Sequence, residues 1–301
     1  MSKIISGLKY IKKTIEKAIR NYKYNHAGKQ IAAKKLEYGL NTEAREEQVI
    51  ISLTSYGTRL KSVHMTIRSI FNQTYRPDKV ILYLDSDVST KDLPDTLTKL
   101  QKYGLEIKSE PENIRSHKKY FYAVQEFPTS LIITVDDDLL YPPELIESLI
   151  KMHIKFPDAV IASRVHEIRL DTEGKLLPYR KWGWEVDAAN EIPSFRFLAT
   201  GCGGVLYPPD SLDTSMLDLD LIKRLALPAD DLWLKFAELR AHTQVKMAEG
   251  NMWRRIYEEP SAELNALSNT NVTEDKNDQI LKDIMRYYGL SDKYLLGEDV
   301  L

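Results

Sequence analysis

Short apolar runs alternate with amphipathic stretches between residues 49 and 163. The runs have the length and β-branched content of buried strands, whereas the amphipathic stretches repeat apolar residues every three or four positions, as helices do. The predicted strands cover residues 49–54, 79–84, 105–108, 131–135 and 159–163. Strands that alternate with helices predict βαβ units, and therefore an α/β fold with a mainly parallel sheet.

The helical periodicity continues beyond these strands, although the pattern becomes irregular after residue 163. The predicted helices cover residues 63–71, 93–103, 116–127, 142–155, 227–240 and 282–288. A hairpin turn is predicted at 171–174 and a glycine-rich turn at 201–204. Aromatic residues stand in the loops at 181–184 and 195–197, where they could cover a ligand.

A basic amphipathic helix is predicted at the N-terminus, followed by a polar connector over residues 24–48. The apolar stripe of the helix consists of Ile4, Leu8, Ile11, Ile15, Ile19 and Tyr22. Such a helix fits an anionic membrane interface, and it also fits docking on its own domain or on a second chain. The excess of lysine favours the membrane, whereas the oligomeric state stays open.

Charge and composition limit which partners and which cellular compartment can be expected for the protein. Residues 1–35 carry ten basic residues and one acid, whereas the remainder carries 32 bases and 43 acids, which argues against a nucleic-acid partner. The single Cys202 excludes an intramolecular disulfide, in keeping with the cytoplasm. No apolar run approaches the roughly 20 residues of a spanning helix, and no secretory signal is expected.

Polar residues follow three of the predicted strands. Thr54, Asp85 and Asp136 stand at carboxyl ends of strands, the edge of a parallel sheet at which ligands bind. Asp136, Asp137 and Asp138 are consecutive, and three like charges are tolerable there when a divalent cation neutralises them. On a strand, the first and third of these aspartates would share a face. The alternative is a helix cap, for which one aspartate would suffice.

A second carboxylate pair, Asp230 and Asp231, stands at a predicted helix start. Acids stabilise the first turn of any helix, so the pair fits a structural role as well as a catalytic one. Upstream, Gly201, Gly203 and Gly204 permit close approach of a substrate to the backbone, or simply form a bend. The chain has no P-loop motif, and its glycines lack the strand-to-helix context of a dinucleotide fingerprint.

Five motifs follow one another in order between about residues 48 and 240. They are Val49-Ile-Ile-Ser-Leu-Thr-Ser-Tyr56, Tyr75-Arg-Pro-Asp-Lys-Val80, Thr134-Val-Asp-Asp-Asp138, Gly201-Cys-Gly-Gly-Val-Leu-Tyr-Pro208 and Asp230-Asp-Leu-Trp233. Together they resemble bacterial glycosyltransferases of the GT-A fold, close to family 2, of the type found with capsule and surface-polysaccharide biosynthesis. The resemblance implies a Rossmann-like sheet, a DXD-type metal site and a UDP-sugar donor.

The resemblance also implies roles for individual residues. The residues implied to bind the nucleotide sugar are Thr54, Tyr56, Arg59, Asp85, Lys118, Asp136, Asp137, Gly203 and Gly204. Asp138, with Asp136, would hold Mn²⁺ or Mg²⁺, and His242 is a candidate third ligand, although a lone histidine is more often structural. Asp231 stands where the family has its general base. The family pair is Glu-Asp, and here it is Asp-Asp, so the choice between Asp230 and Asp231 stays open.

The resulting hypothesis is a metal-dependent inverting glycosyltransferase that acts on a lipid-linked or growing surface glycan. Its basic helix would bring it to the inner membrane face. Residues 1–47 would be the helical extension, 48–163 the nucleotide-binding half, 164–260 the acceptor-binding half and 261–301 a helical tail. A nucleotidyltransferase and a non-catalytic glycan-assembly protein of the same fold are the alternatives. The sugar, the acceptor and the linkage are not encoded in any pattern described above.

Overall fold

A seven-stranded sheet lies at the centre of this computed structural model, which describes residues 2–187, 191–260 and 275–298. The described residues form these strands, seven of which belong to the sheet: β1 Val49–Thr54, β2 Lys79–Asp85, β3 Leu105–Glu110, β4 Leu131–Thr134, β5 Leu139–Leu140, β6 Val160–Ala162, β7 Val165–Glu167, β8 Phe197–Ala199, β9 Val205–Tyr207, β10 Val245–Met247 and β11 Tyr257–Glu258. The helices are α1 Ser2–Ala33, α2 Val63–Phe71, α3 Asp95–Thr98, α4 Lys118–Glu126, α5 Leu145–Lys155, α6 Leu219–Leu225, α7 Asp230–Arg240 and α8 Lys276–Tyr288.

The strand order of the sheet is β10-β6-β9-β4-β1-β2-β3. Strand β1 pairs in parallel with β2 and β4, β2 with β3, and β10 with β6, whereas β9 is antiparallel to β4 and β6. The predicted α/β fold with a mainly parallel sheet flanked by helices is therefore confirmed. Because β1, β2 and β4 run in the same direction, their carboxyl ends meet at one edge of the sheet.

Each face of the sheet carries its own hydrophobic core. Ile50 of β1 and Ile132 of β4 belong to one core, whereas their neighbours Ile51 and Ile133 belong to the other. Successive side chains of a strand point to opposite faces, so a strand covered on both sides must be apolar throughout. This double coverage explains why the strands are continuous apolar runs in the sequence.

Several helix boundaries differ from the predicted ones. Helix α5 begins at Leu145 and not at Pro142, because the carbonyls of Pro142 and Pro143 accept hydrogen bonds from the Gln73 side chain and the Thr74 backbone, both 2.8 Å long. The stretch predicted as one helix at 93–103 is the short α3 followed by a 3₁₀ helix that ends before Gly104. Helix α7 begins three residues later than predicted, and α8 begins six residues earlier.

Helix α1 continues to Ala33 through part of the region predicted as a connector. Its C-terminal part docks on the domain, where Gly28 is buried against Met65 and Leu140. The Arg68 guanidinium donates to the carbonyls of Ile31, Ala32 and Lys34 at 2.9 to 3.2 Å. A cation at the C-terminal end of a helix also interacts favourably with the negative end of the helix dipole. Arg68 therefore stabilises the last turn of α1.

The N-terminal part of α1 exposes its apolar stripe. Ile11, Ile15, Ile19 and Tyr22 are 54%, 54%, 49% and 71% exposed. The side chains of Ile4 and Leu8, which the prediction also placed in the stripe, lie outside the described residues. Across the described ranges, no helix combines the length and the hydrophobicity that crossing a membrane requires.

Replacing Arg68 by leucine is expected to loosen the C-terminal turn of α1 while leaving the sheet intact. Loss of the charged donor should cost about 2 kcal/mol of local stability, because three helix-end carbonyls lose their partner. Hydrogen exchange at the amides of residues 28–36 measures the effect. The matched control is Arg76→Leu, since Arg76 makes only an exposed 3.7 Å ion pair with Glu37 nearby. Equal exchange in both variants would contradict the capping role.

Candidate active site

The three consecutive aspartates follow β4 in a turn at the carboxyl edge of the sheet. The strand ends at Thr134, so the alternation expected for Asp136 and Asp138 does not apply to them. Asp137 is buried and accepts hydrogen bonds from Ser55 Oγ at 2.5 Å and Arg59 Nη1 at 3.0 Å. Arg59 Nη2 lies 3.1 Å from Asp138 Oδ2, so one arginine forms ion pairs with two of the three carboxylates.

The electrostatics of this turn favour an additional cation. The pKa of Asp138 is raised to about 7, first by burial and then by the charges of Asp136 and Asp137, against the opposing effect of Arg59. Burial also raises the pKa of Asp137 above its usual range. A carboxylate is ionised fully at neutral pH only when positive charge compensates it. Arg59 supplies part of that charge, and a divalent ion would supply the remainder.

Carboxylate oxygens at this turn fit a hard divalent cation such as Mn²⁺ or Mg²⁺. Within the described ranges, no group of three or more His, Cys, Asp and Glu side chains is arranged to hold a metal. Asp136 and Asp138 would therefore supply part of a coordination sphere that phosphate oxygens and water complete. His242 lies two residues beyond the C-terminal end of α7, whereas Asp231 lies in the first turn of that helix, and no such group among the described residues includes His242.

The buried lysine Lys119 joins the two carboxylate groups that the sequence places far apart. Its ammonium lies 2.8 Å from Asp136 Oδ1 and 2.9 Å from Asp230 Oδ2. Asp230 also accepts a hydrogen bond of 2.8 Å from Ser116. Lys119 was not among the predicted site residues, and its only signal in the sequence is a pair of lysines at the start of an amphipathic helix. Tertiary contacts thus bring the α7 pair to the aspartate turn.

Asp230 and Asp231 have opposite electrostatic environments. Although burial would raise the pKa of Asp230, Lys119 lowers it to about 2. Burial and the charge of Asp230 raise the pKa of Asp231 to about 7. Asp231 Oδ1 accepts a hydrogen bond of 3.0 Å from the backbone amide of Gly201. A carboxylate that titrates near neutrality is suited to accept a proton, whereas one that stays ionised is suited to hold a cation.

Comparison with known proteins identifies the family. The profile of glycosyl transferase family 2 matches residues 51–203, about half of the chain. The chain belongs to glycosyl transferase family 2. It is therefore a glycosyltransferase, with a GT-A-like α/β fold. The matched range includes the aspartate turn and Lys119 but ends before Asp230 and Asp231.

Among solved structures, the glycosyltransferase is similar to the mannosyltransferase PcManGT from Pyrobaculum calidifontis, in complex with GDP-Man and Mn²⁺, at 13% sequence identity and a TM-score of 0.44. The alignment covers 79% of this chain and 64% of that chain, slightly less than two thirds of its length. A search of curated proteins finds no match.

In this glycosyltransferase, the residues predicted to bind the nucleotide lie at the same carboxyl edge of the sheet. Most of their side chains already contact other groups of the protein. The Lys118 ammonium is buried and lies 2.6 Å from Asp85 Oδ1. The Thr54 hydroxyl donates to the carbonyl of Tyr83 at 2.8 Å. Tyr56 is exposed, and its ring lies 5.6 Å from the Arg59 guanidinium. The predicted ligand contacts of these side chains stay predictions.

The glycines of the 201–204 turn differ in what surrounds them. A Cβ at Gly201 would lie 2.6 Å from Lys119 Nζ and 3.0 Å from Asp231 Oδ1, so only glycine leaves room for both charges. A Cβ at Gly203 would instead meet Ser163, and Gly204 has a φ of +87° with Leu145 beside it. The expected contact of Gly203 and Gly204 with the donor sugar stays a prediction.

Strand β11 and helix α1 border the aspartate turn, which the sequence analysis did not anticipate. The backbone amide of Glu259 donates to the carbonyl of Asp138 at 2.8 Å, and the Ser62 hydroxyl donates to Glu259 Oε2 at 2.9 Å. Burial raises the pKa of Tyr24 in α1, and the charges of Glu259 and Asp138 add to the effect. The N-terminal helix thus reaches the edge of the candidate metal site.

Substituting Asp230 by asparagine is expected to lower the pKa of Asp231 below its value of about 7, because a neighbouring negative charge is removed while Lys119 stays. The shift should be about one pH unit downward. Carboxyl ¹³C NMR of the metal-free protein, titrated from acid to alkaline pH, measures it. Lys119→Met should move the same midpoint upward. An unchanged midpoint in Asp230→Asn would contradict the electrostatic coupling of the pair.

Proposed function

We propose that this glycosyltransferase uses a divalent cation to move a sugar from a UDP-sugar to a glycan acceptor with inversion at the anomeric carbon. The proposal is carried by one observation, the convergence of the aspartate turn and the Asp230–Asp231 pair around Lys119. One group fits a metal-bound diphosphate, and the other includes a carboxylate that titrates near neutrality. Donor activation and proton removal therefore have separate residues.

In the proposed reaction, the acceptor hydroxyl attacks the anomeric carbon, and Asp231 accepts the proton of that hydroxyl. The new bond joins the acceptor oxygen to the anomeric carbon, while the bond from that carbon to the diphosphate oxygen breaks. Mn²⁺ or Mg²⁺, held by Asp138 and Asp136, would offset the charge that develops on the leaving diphosphate. Asp230 stays ionised and keeps Lys119 in position. A single displacement inverts the anomeric configuration.

The donor half of the site would be formed by residues 48–163. We assign the UDP pocket to Thr54, Tyr56 and Asp85, with Asp137 near the ribose and Arg59 near the diphosphate. Lys118 would act through Asp85, since its ammonium already pairs with that carboxylate. Gly203 and Gly204 would lie along the donor sugar. These assignments follow the resemblance and the shared location at the carboxyl edge.

The acceptor would be bound by residues 164–260, and it would be a lipid-linked or growing bacterial surface polysaccharide, such as a capsule. The exposed stripe of α1 supports this proposal, because a lipid-linked acceptor requires the enzyme to work at a membrane. Ile11, Ile15 and Ile19 stay about half exposed on a helix with an excess of lysine. Apolar residues beside cationic ones fit an anionic lipid surface, here the inner face of the cell membrane.

Metal-dependent nucleotide binding should depend on Asp138. Titration calorimetry with UDP and Mn²⁺ should show a loss of affinity of at least about tenfold in Asp138→Ala, and EDTA should reduce the wild-type affinity to the same level. The matched control is Asp87→Ala, since Asp87 is an exposed aspartate just beyond Asp85. A metal response retained in Asp138→Ala would refute the assignment. UDP release from a panel of UDP-hexoses, with GDP- and dTDP-sugars as base controls, then identifies the donor.

The apolar stripe of α1 should bind anionic vesicles. Sedimentation of the full chain with phosphatidylcholine vesicles should increase when phosphatidylglycerol is added, and Ile15→Asp with Ile19→Asp should weaken it more than tenfold, because two apolar side chains no longer enter the interface. Ile154→Asp is the control, since Ile154 is exposed on α5. Unchanged sedimentation in the double variant would contradict the proposal. Loss of a dimer in that variant would instead assign the stripe to a second chain.

A further inference from the structure

An aromatic cluster beside the candidate base has no role in the reaction described so far. Trp184 is 41% exposed, although its neighbours His166, Tyr179 and Trp182 are buried. Its ring centroid lies 4.7 Å from that of His166 and 5.6 Å from that of Tyr179, the latter in an edge-on arrangement. The Trp184 ring thus packs against buried aromatic side chains, and its remaining surface is open to solvent.

The backbone around Trp184 is held in an unusual conformation. Glu185 has a φ of +50°, a left-handed value that costs a side-chain-bearing residue of order 1 kcal/mol or more. Two contacts hold it there. The Glu185 carboxylate pairs with Arg164 at 2.6 Å, and its amide donates to His166 Nδ1 at 3.0 Å. Backbone strain that two contacts stabilise next to an exposed side chain points to a functional position.

On the other side of Trp184, Gly183 pairs with Glu167 of β7 through two backbone hydrogen bonds of 2.7 and 2.9 Å. A Cβ at Gly183 would lie 2.7 Å from Arg169 Nη2 and 2.8 Å from Val186 Cγ1, so the backbone is closely surrounded at this position. The tryptophan is therefore fixed to a strand through its preceding residue and to an ion pair through its following residue. Its indole ring is preorganised and loses little entropy on binding a ligand.

A short series of contacts connects this tryptophan to Asp231. Arg164 Nη1, whose guanidinium also holds Glu185, lies 2.6 Å from the sulfur of Cys202. Cys202 follows Gly201, whose amide donates to Asp231. In addition, Tyr179, which contacts the Trp184 ring, lies close enough to Asp231 for that carboxylate to raise its pKa beyond the effect of burial. The aromatic cluster and the candidate base are therefore connected through Tyr179 on one side and through Arg164 and the 201–202 backbone on the other.

We propose that the indole face of Trp184 is a stacking platform for a hexopyranose ring of the acceptor, held so that a hydroxyl of that ring or of the next reaches Asp231. The electron-rich face of an indole attracts the polarised C–H groups on one side of a pyranose. The Arg164–Glu185 pair at its border offers a donor and an acceptor for ring hydroxyls. This inference rests on the proposed transferase reaction and identifies part of its acceptor site.

Saturation-transfer NMR tests the platform without a known acceptor. The probes are the methyl α- and β-pyranosides of glucose, galactose, mannose and N-acetylglucosamine, added to the full chain with UDP and Mn²⁺. At least one glycoside should receive saturation in the wild-type protein. Its affinity should fall about tenfold in Trp184→Ala and less in Trp184→Phe, because a smaller ring retains part of the stacking. Tyr287→Ala, which removes an exposed aromatic residue from α8, should bind as the wild type does.

The outcomes separate this inference from the proposed function. If UDP binding keeps its metal dependence while Trp184→Ala binds the glycoside as tightly as the wild type, the platform is refuted and the transferase proposal stands. Absence of saturation for every glycoside with the wild-type protein also refutes the platform. If UDP itself does not bind with Mn²⁺, the proposed function fails first. Unchanged UDP affinity in Trp184→Ala shows that the variant is folded, so a loss of glycoside binding is local.

Discussion

The buried ammonium of Lys119 is the interaction on which the candidate site depends. Burial alone would lower the pKa of Lys119, but Asp136 and Asp230 raise it well above its usual value, so the lysine stays charged. Removal of a charged group from water is costly unless a partner lies within hydrogen-bond distance, and here two carboxylates do. The same pairing lowers the pKa of Asp230, whose negative charge in turn raises that of Asp231. One lysine thus couples the position of the aspartate turn to the protonation of the candidate base.

The sheet makes this arrangement possible because its central strands are covered on both faces. Lys119 lies in α4, which packs against β1 and β4, so its ammonium reaches the carboxyl edge of the sheet. Gly201 leaves the space that the ammonium and Asp231 occupy. The docked part of α1 borders the same edge through Tyr24, so the helix that carries the exposed apolar stripe also contacts the surroundings of Asp138. The exposed stripe and the surroundings of the aspartate turn therefore belong to opposite ends of a single helix.

Local patterns predicted the central strands well. The first strand has the predicted limits, and the others differ by one or two residues at an end, because apolar side chains on both faces leave a sharp signal where the sheet begins and ends. Helix starts were predicted less accurately. Pro142 would suit a first helical turn, but its carbonyl is used by Gln73 of a distant segment, which no local pattern reveals. The aspartates were correctly predicted to follow a buried strand at the carboxyl edge of the sheet. Their side chains do not alternate as on a strand, because they lie in a turn and pair with different partners.

The fold class, the location of the aspartates at a strand end and the resemblance to family 2 could all be predicted from the sequence, because each depends on hydrophobic periodicity or on short contiguous motifs. Which charges meet depends on the packing of distant elements. Lys119 and Asp230 are more than a hundred positions apart, and their pairing follows from how α4 and α7 pack on the sheet. The different protonation of Asp230 and Asp231 likewise depends on a third, distant residue. Two adjacent and chemically identical residues can acquire different roles only through the environment that folding creates.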